Sequence, residues 1–458
     1  MFTVRKDLNL SEYILFIEKK YNLLDENIES IQIYPLIRMG LYYKLSQDLN
    51  YYSPQPIKKY ELNIINIYRL LKHFLMFNDL KKMTTNSIGI IEHPRLIDNN
   101  ETDIYSHFLN KILNATTISH PLYGKQIAKN DTENFIYYDY YLLKKKLINI
   151  FYTNKNINNY AKRISDIINK EFGIKKNYKK FLVNLIKDRI TACHISYSFL
   201  KRTNIKKLVV VNAYGFNHFI WAAKKLNIMT IELQHGIISD LHLGYHYPTS
   251  DKNTIDAFPD YLLTFGDYWN NLAKFPINDD KVIPNGYFYF NDQKSKYLKL
   301  KTSNQKKILV ISQSTIGEKL SNEIIEIAKE LEDYQIIYKL HPKEIMEKPY
   351  YLKKLNQINN IKISTNTPLY SLFAECEWQI GVFSTALYEG LGFGLKTIIM
   401  KISGWQNLKS LNVIKGVKFL SNSNEVIETI NKNIAHPNSK KFFSENSYQK
   451  HTKFFKNL

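Results

Sequence analysis

Short continuous apolar runs, each closed by a polar or glycine-bearing turn, recur along this chain. In the C-terminal half Lys307 to Ser312 (KILVIS), Gln335 to Leu340 (QIIYKL), Ile361 to Ser364, Trp378 to Val382 and Lys396 to Met400 read as buried strands. Between them, Glu318 to Glu332, Glu347 to Leu355 and Pro368 to Glu375 read as helices, the last with proline in its first turn. Continuous apolar strands alternating with helices predict a parallel, doubly wound sheet. The same grammar precedes it. Ser87 to Ile91, Lys207 to Asn212, Met229 to Leu233, Tyr261 to Phe265 and Lys281 to Ile283 read as strands, and Phe216 to Leu226 as a helix. This half is a second Rossmann-like sheet interrupted by a helical insertion, about Asp131 to Arg202.

The polar, lysine-rich stretch Tyr287 to Gln305 lacks apolar periodicity and reads as an interdomain linker. The expected organisation is therefore α/β, with two Rossmann-like domains facing a central cleft. Residues 1–290 form the first domain and carry the insertion, 306–437 form the second, and 438–458 form a helix packing back across both. The segment Ile57 to Phe77 mixes lysines with leucines and phenylalanines. It fits a helix packed on its own domain better than one lying on a membrane.

Composition narrows the class. With 458 residues the chain exceeds one ordinary core. No apolar run approaches a membrane span, and the start lacks the apolar region of a signal peptide. Cys193 and Cys376 alone give neither a disulfide framework nor a zinc site. The expectation is a cytoplasmic protein, with peripheral attachment to the inner face of the membrane left open. The net charge of +21 is spread over scattered lysines, which fits compositional drift for most of the excess. No zinc-finger spacing and no aromatic RNA-binding motif is present, so nucleic acid is not an expected partner.

Chemistry in open α/β sheets gathers at the carboxyl ends of the strands. One such end stands out. Trp378 to Val382 runs into Ser384-Thr385, where a helix opens and carries Glu389 in its second turn before a glycine-rich break. Unpaired N–H groups and the helix dipole make that start a place for phosphate, with the two hydroxyls as further donors. Glu389 is placed to accept from a ribose hydroxyl. His341-Pro342 closes another strand, and its histidine is set to donate to a phosphate or ribose oxygen. Ser314 and Thr315 follow a third strand and either face the same phosphate or cap the next helix.

In the first half, His235 closes a buried strand and is followed by Gly236 and by the polar cluster Asp240, His242, Tyr245. An imidazole there is able to take a proton from an attacking hydroxyl, with Asp240 fixing its tautomer or standing in as base. A structural histidine bonded to a loop carbonyl fits the same position. His93, Arg95, Tyr214, Gln234, His242 and Tyr245 are the candidate acceptor-side residues. No Walker loop, no nucleophile elbow and no Asp-x-Asp is present, and no metal or other cofactor is expected.

These residues resemble the GT-B-fold glycosyltransferases of bacterial surface polysaccharide synthesis. That branch includes sialyl-, polysialyl- and Kdo transferases and teichoic-acid polymerases. The resembling pieces are Leu233-Gln234-His235-Gly236, Tyr261 to Trp269, Lys339-Leu340-His341-Pro342 and the Ser384 to Gly394 unit. The resemblance implies that the C-terminal domain holds the nucleotide. His341 and Pro342 would meet the nucleotide or its phosphate, Ser384 and Thr385 the phosphate, and Glu389 the ribose. His235 becomes the base of an inverting transfer to an acceptor on the N-terminal domain. The acidic base motif of many sialyltransferases is not evident, which raises His235.

The expected activity is metal-independent transfer of a sugar from a nucleotide donor to a growing capsule or lipopolysaccharide glycan, free or lipid-linked. A CMP-sugar is favoured, and UDP, GDP and dTDP donors are left open. Polyol-phosphate transfer from a CDP-polyol, a nucleotide-sugar 2-epimerase and a non-catalytic assembly protein are the alternatives.

Overall fold

The computed structural model describes residues 9–49, 86–93, 96–97, 102–119, 135–299, 306–438 and 441–458. The segment Ile57 to Phe77 and the residue Arg95 lie outside the described residues.

The apolar runs assemble into two parallel sheets. The first holds β1 (Ile88–Ile91), β2 (Thr116–Ser119), β3 (Phe135–Tyr137), β4 (Lys207–Val211), β5 (Met229–Leu233), β6 (Tyr261–Thr264) and β7 (Val282–Pro284). Their order is β7-β6-β5-β4-β1-β2-β3, and every pair is parallel. The second holds β8 (Lys307–Ile311), β9 (Gln335–Lys339), β10 (Ile361–Ser364), β11 (Trp378–Gly381), β12 (Lys396–Met400) and β13 (Val417–Leu420). Its order is β10-β9-β8-β11-β12-β13, again all parallel. In each sheet the winding direction reverses once, beside β1 and β4 in the first and beside β8 and β11 in the second. A crevice opens at the carboxyl ends of the strands at such a reversal.

Burial explains the apolar runs. The valines of β4 and all of β12 are buried, because helices cover both faces of a doubly wound sheet. The insertion folds as three helices, Asp139–Phe151, Lys155–Phe172 and Lys179–Leu200. The middle helix starts on Asn154, whose side chain accepts from the Asn156 N–H. It ends at Gly173, whose φ of 63° places it in the left-handed region that glycine adopts without strain. Ile157, Ala161, Ile164 and Ile168 form its buried stripe.

Several elements of the fold differ from the sequence reading. The stretch taken as a linker contains the helix Phe288–Leu298. Only Phe290 is fully buried along it, so no apolar stripe shows in the sequence. The helix is held by tertiary contacts instead: Phe290 stacks on Phe443 at 3.9 Å, and Asn291 Nδ2 donates to the Ser444 carbonyl at 2.9 Å. The strands β2, β3 and β13, and the helix Ser423–Lys432, were not expected.

The two sheets are bound together by the chain's last residues. The Trp269 indole N–H donates to the Phe442 carbonyl at 2.8 Å, and the Ser444 N–H to the Phe265 carbonyl at 2.7 Å. A Cβ on Gly266 would come within 2.6 Å of the Lys441 carbonyl oxygen, so only glycine admits this close approach. The Trp269 and Tyr388 rings meet across the two halves at 4.5 Å. The helix Ser447–Asn457 then returns to the first half, setting His451 against Phe108 at 4.9 Å and Phe454 against Tyr261 at 5.4 Å. Among the described residues no helix is long and apolar enough to cross a membrane.

Candidate functional site

A cavity of about 730 Å³ opens between the carboxyl edges of the two sheets. The first half lines it with Tyr214 after β4, with His235 and Gly236 after β5, and with His242 beyond. The second half contributes Ser312 and Gln313 after β8, His341 and Pro342 after β9, and Ser384, Thr385 and Glu389 after β11. Met39, Tyr42 and Tyr43, on the helix Ile33–Asp48, add a third wall. The reversal points of both sheets therefore feed one cleft.

On the second-half side, Ser384 is the N-cap of the helix Thr385–Gly392, and its hydroxyl accepts from the Ala386 N–H at 3.2 Å. Serine suits this place because its oxygen satisfies a donor that the first turn leaves unpaired. The helix start, with Thr385 and Ala386, faces the cavity and brings the positive end of the helix dipole to it. Gln313 clasps the Phe383 peptide just before it. Glu389 is almost fully buried one turn in; burial and this carboxylate together push the Tyr370 phenol well above its ordinary value.

The turn carrying His341 is fixed by a buried acid. Glu344 Oε2 accepts from the His341 N–H at 2.8 Å, while Oε1 takes the Ser312 hydroxyl at 2.9 Å and the Tyr351 hydroxyl at 2.7 Å. Gly317 leaves room for that carboxylate, since a Cβ there would sit 2.2 Å from Oε1.

On the first-half side, His235 is held through both ring nitrogens. Nε2 lies 3.1 Å from the Tyr214 hydroxyl and Nδ1 lies 3.3 Å from the Tyr245 hydroxyl. Tyr245 in turn donates to Glu232 Oε1 at 2.9 Å, and the Ala213 N–H donates to the same oxygen at 3.0 Å. The Tyr105 hydroxyl donates to the His235 carbonyl at 2.9 Å. Desolvation, reinforced by the neighbouring His93 and His242, drives the His235 imidazole well below its ordinary value, so it is neutral near pH 7. Desolvation brings His242 down to about 4. Burial raises Glu232 to about 7, against the pull of its two donors.

Several expected residues sit elsewhere. Asp240 does not hold the His235 tautomer: Tyr245 occupies Nδ1, and the Asp240 carboxylate pairs with Lys409 at 2.9 Å, across the two halves. Ser314 and Thr315 lie off the cavity lining, in the turn before the helix Gly317–Glu330, which has no side-chain cap. Gln234 is buried and stitches strand ends, its amide donating to the Gly236 carbonyl at 2.8 Å and accepting from the Phe265 N–H at 2.7 Å. Tyr245 is buried behind His235, and His93 packs 5.9 Å from the His235 ring, outside the lining. Tyr214, His242, His341, Pro342, Ser384, Thr385 and Glu389 come together on the cavity with His235.

Sequence reasoning passed over Glu232, Glu344, and the Met39, Tyr42 and Tyr43 wall. A carboxylate inside an otherwise buried strand, as in Met229–Leu233, is the one sequence feature by which Glu232 could have been found.

No family model matches the chain, and no curated protein matches it by sequence. Solved structures similar to it include the UDP-GlcNAc 2-epimerase from Methanocaldococcus jannaschii, at 11% identity over 81% of this chain and 99% of that one, with a TM-score of 0.47. MurG from Acinetobacter baumannii is similar at 11% identity over 81% of this chain and 99% of that one, with a TM-score of 0.44. The wall teichoic acid polymerase TagF is similar at 13% identity over 87% of this chain and 97% of that one, with a TM-score of 0.43. Likeness at this level carries no argument about chemistry. Strand order and cavity define the chain as an α/β protein of two Rossmann-like sheets facing one cleft, the GT-B arrangement.

Proposed function

We propose that this chain is an inverting, metal-independent glycosyltransferase that moves a sugar from a nucleotide donor, with a CMP-sugar favoured, to a growing cell-surface glycan. One observation carries the reading: a single cavity sets His235, from the first sheet, together with Ser384, Thr385, Glu389 and His341 from the second. In this reading the second half holds the donor. The helix starting at Thr385 receives the phosphate, and Glu389 and His341 orient the nucleoside.

The first half presents the acceptor, a glycan or lipid-linked glycan at the inner face of the membrane. The neutral His235 takes the proton of the acceptor hydroxyl as its oxygen bonds to the anomeric carbon. The bond from that carbon to the phosphate oxygen breaks, and the charge passes to the nucleotide. In this reading the start of the helix at Thr385 stabilises that charge.

A thermal-shift screen of CMP, CDP, UDP, GDP and dTDP tests the reading, since a ligand that binds only the folded state raises the melting point by mass action. The expected result is a clear shift with one nucleotide, CMP foremost, followed by sugar transfer from the matching donor. No shift with any of the five overturns it. A product joined by a phosphodiester would assign polyol-phosphate transfer, and conversion of the donor without an acceptor would assign epimerisation.

A further inference from the structure

We propose that Glu232 is a positioning residue which, through the Tyr245 hydroxyl, sets the tautomer of His235 and so decides whether Nε2 is available to accept a proton. The inference deepens the function proposed above and rests on His235 being the base.

The geometry is a chain of three groups. Glu232 Oε1 lies 2.9 Å from the Tyr245 hydroxyl, which lies 3.3 Å from His235 Nδ1. A phenol has one proton to give. Burial, together with the neighbouring Glu232 and Tyr214, holds the Tyr245 phenol far above its ordinary value, so it keeps that proton. An ionised Glu232 offers only acceptors. Tyr245 must then donate to Glu232 and accept from His235, which places the ring proton on Nδ1. Nε2 is left with its lone pair, aimed at the Tyr214 hydroxyl on the cavity wall. An acceptor hydroxyl delivered beside Tyr214 meets a nitrogen able to take its proton.

Once Glu232 is protonated it no longer requires the Tyr245 proton. Tyr245 is then free to donate to Nδ1, the ring proton moves to Nε2, and the base is lost. Burial places this change near pH 7, because Glu232 is raised to about 7 while His235 is held far below its ordinary value. Four further groups facing the chain are held away from that range. Tyr214 and Tyr247 are phenols raised by burial, His242 is lowered to about 4, and Arg38 is locked to Glu18. His93, which adds to the lowering of His235, faces the ring from β1's end. Glu232 Oε2 is buried with no hydrogen-bond partner, so the carboxylate's contacts run through Oε1 alone.

The test is nitrogen NMR of the full chain labelled with 15N-histidine, with the His235 signals assigned by their loss in His235→Gln. No substrate is needed, so the outcome stands apart from the nucleotide screen. The expected result is an Nδ1-protonated ring at about pH 8 that converts to the Nε2-protonated form at about pH 6, on either side of about 7. Glu232→Gln and Tyr245→Phe should each abolish that conversion. The same tautomer at both pH values in the native chain overturns the inference, as does a conversion that persists in both variants. Should the tautomer behave as expected while His235→Ala leaves sugar transfer unchanged, the base reading fails and the inference loses its role in catalysis.

Discussion

Gln313 and Phe383 exchange two hydrogen bonds: the Gln313 amide donates to the Phe383 carbonyl at 3.0 Å, and the Phe383 N–H donates to Gln313 Oε1 at 3.2 Å. A side chain here completes a backbone-like pair, tying the end of β8 to the loop that delivers Ser384 and Thr385. Gln313→Ala removes both bonds and frees that loop. The expected cost is about 1–2 kcal/mol of stability, together with a smaller nucleotide-induced rise in melting temperature. An unchanged nucleotide shift would show that the clasp plays no part in shaping the phosphate side.

Binding and turnover should separate between the two walls of the cavity. Ser384→Ala removes the helix cap, costing about 1 kcal/mol, and, combined with Thr385→Val, strips two hydroxyls from the anion side. The nucleotide shift should fall sharply. His235→Ala removes only the proton acceptor, so the nucleotide shift should stay near that of the native chain while sugar transfer drops by two orders of magnitude or more, about the scale of general-base catalysis. Isothermal titration with CMP alongside a transfer assay reads both quantities. Native-like turnover in His235→Ala would falsify the assignment of the base.

Arg38 connects the N-terminal helices to the same network. Its guanidinium makes a two-pronged pair with Glu18, at 2.7 and 2.6 Å, both side chains fully buried. It also donates to the carbonyls of Leu243 and His246, bracketing Tyr245 in the loop that reaches His235. Arg38→Met leaves Glu18 buried and uncompensated, a loss of about 3–5 kcal/mol. Adding Glu18→Gln should recover much of the stability. It should not restore turnover, because the loop carbonyls still lack their donor. Full recovery of both in the double variant would confine Arg38 to a stability role.

What the sequence made legible was the periodic part. Continuous runs such as Lys307 to Ile311 and Lys207 to Val211 declare buried parallel strands, and the polar residues that end them mark the cleft. That logic found His235, His341 and Ser384 because each sits two or three positions past a strand. It failed where distant contacts decide. The helix Phe288–Leu298 depends on Phe443 and Ser444, far along the chain, so its own residues show no stripe. Asp240 is close to His235 in sequence, yet its partner is Lys409 on the other half. Glu232 was hidden by its surroundings: a lone acid among apolar neighbours reads as strand, and only the fold shows that Tyr245 is bonded to it.

The cost of keeping Glu232 buried gives a prediction independent of any substrate. Its carboxyl is raised by burial to about 7, while in the unfolded chain it returns to its ordinary value of 4.5. Between those values the folded protein holds a proton that the unfolded chain has released. Stability therefore falls as pH rises through that window, by on the order of 3 kcal/mol for this one group. Below it both states are protonated and the contribution is whole; above it the ionised acid is fully penalised.

Glu232→Gln cannot ionise and should lack this slope, whatever constant penalty its amide adds. Melting temperatures of the two proteins, measured from about pH 5 to about pH 8, should therefore diverge, the native chain losing ground to the variant as pH rises to about 7 and the difference levelling off beyond it. Parallel curves across that range would mean that Glu232 titrates alike in both states, and that the buried acid is not under the strain its surroundings imply.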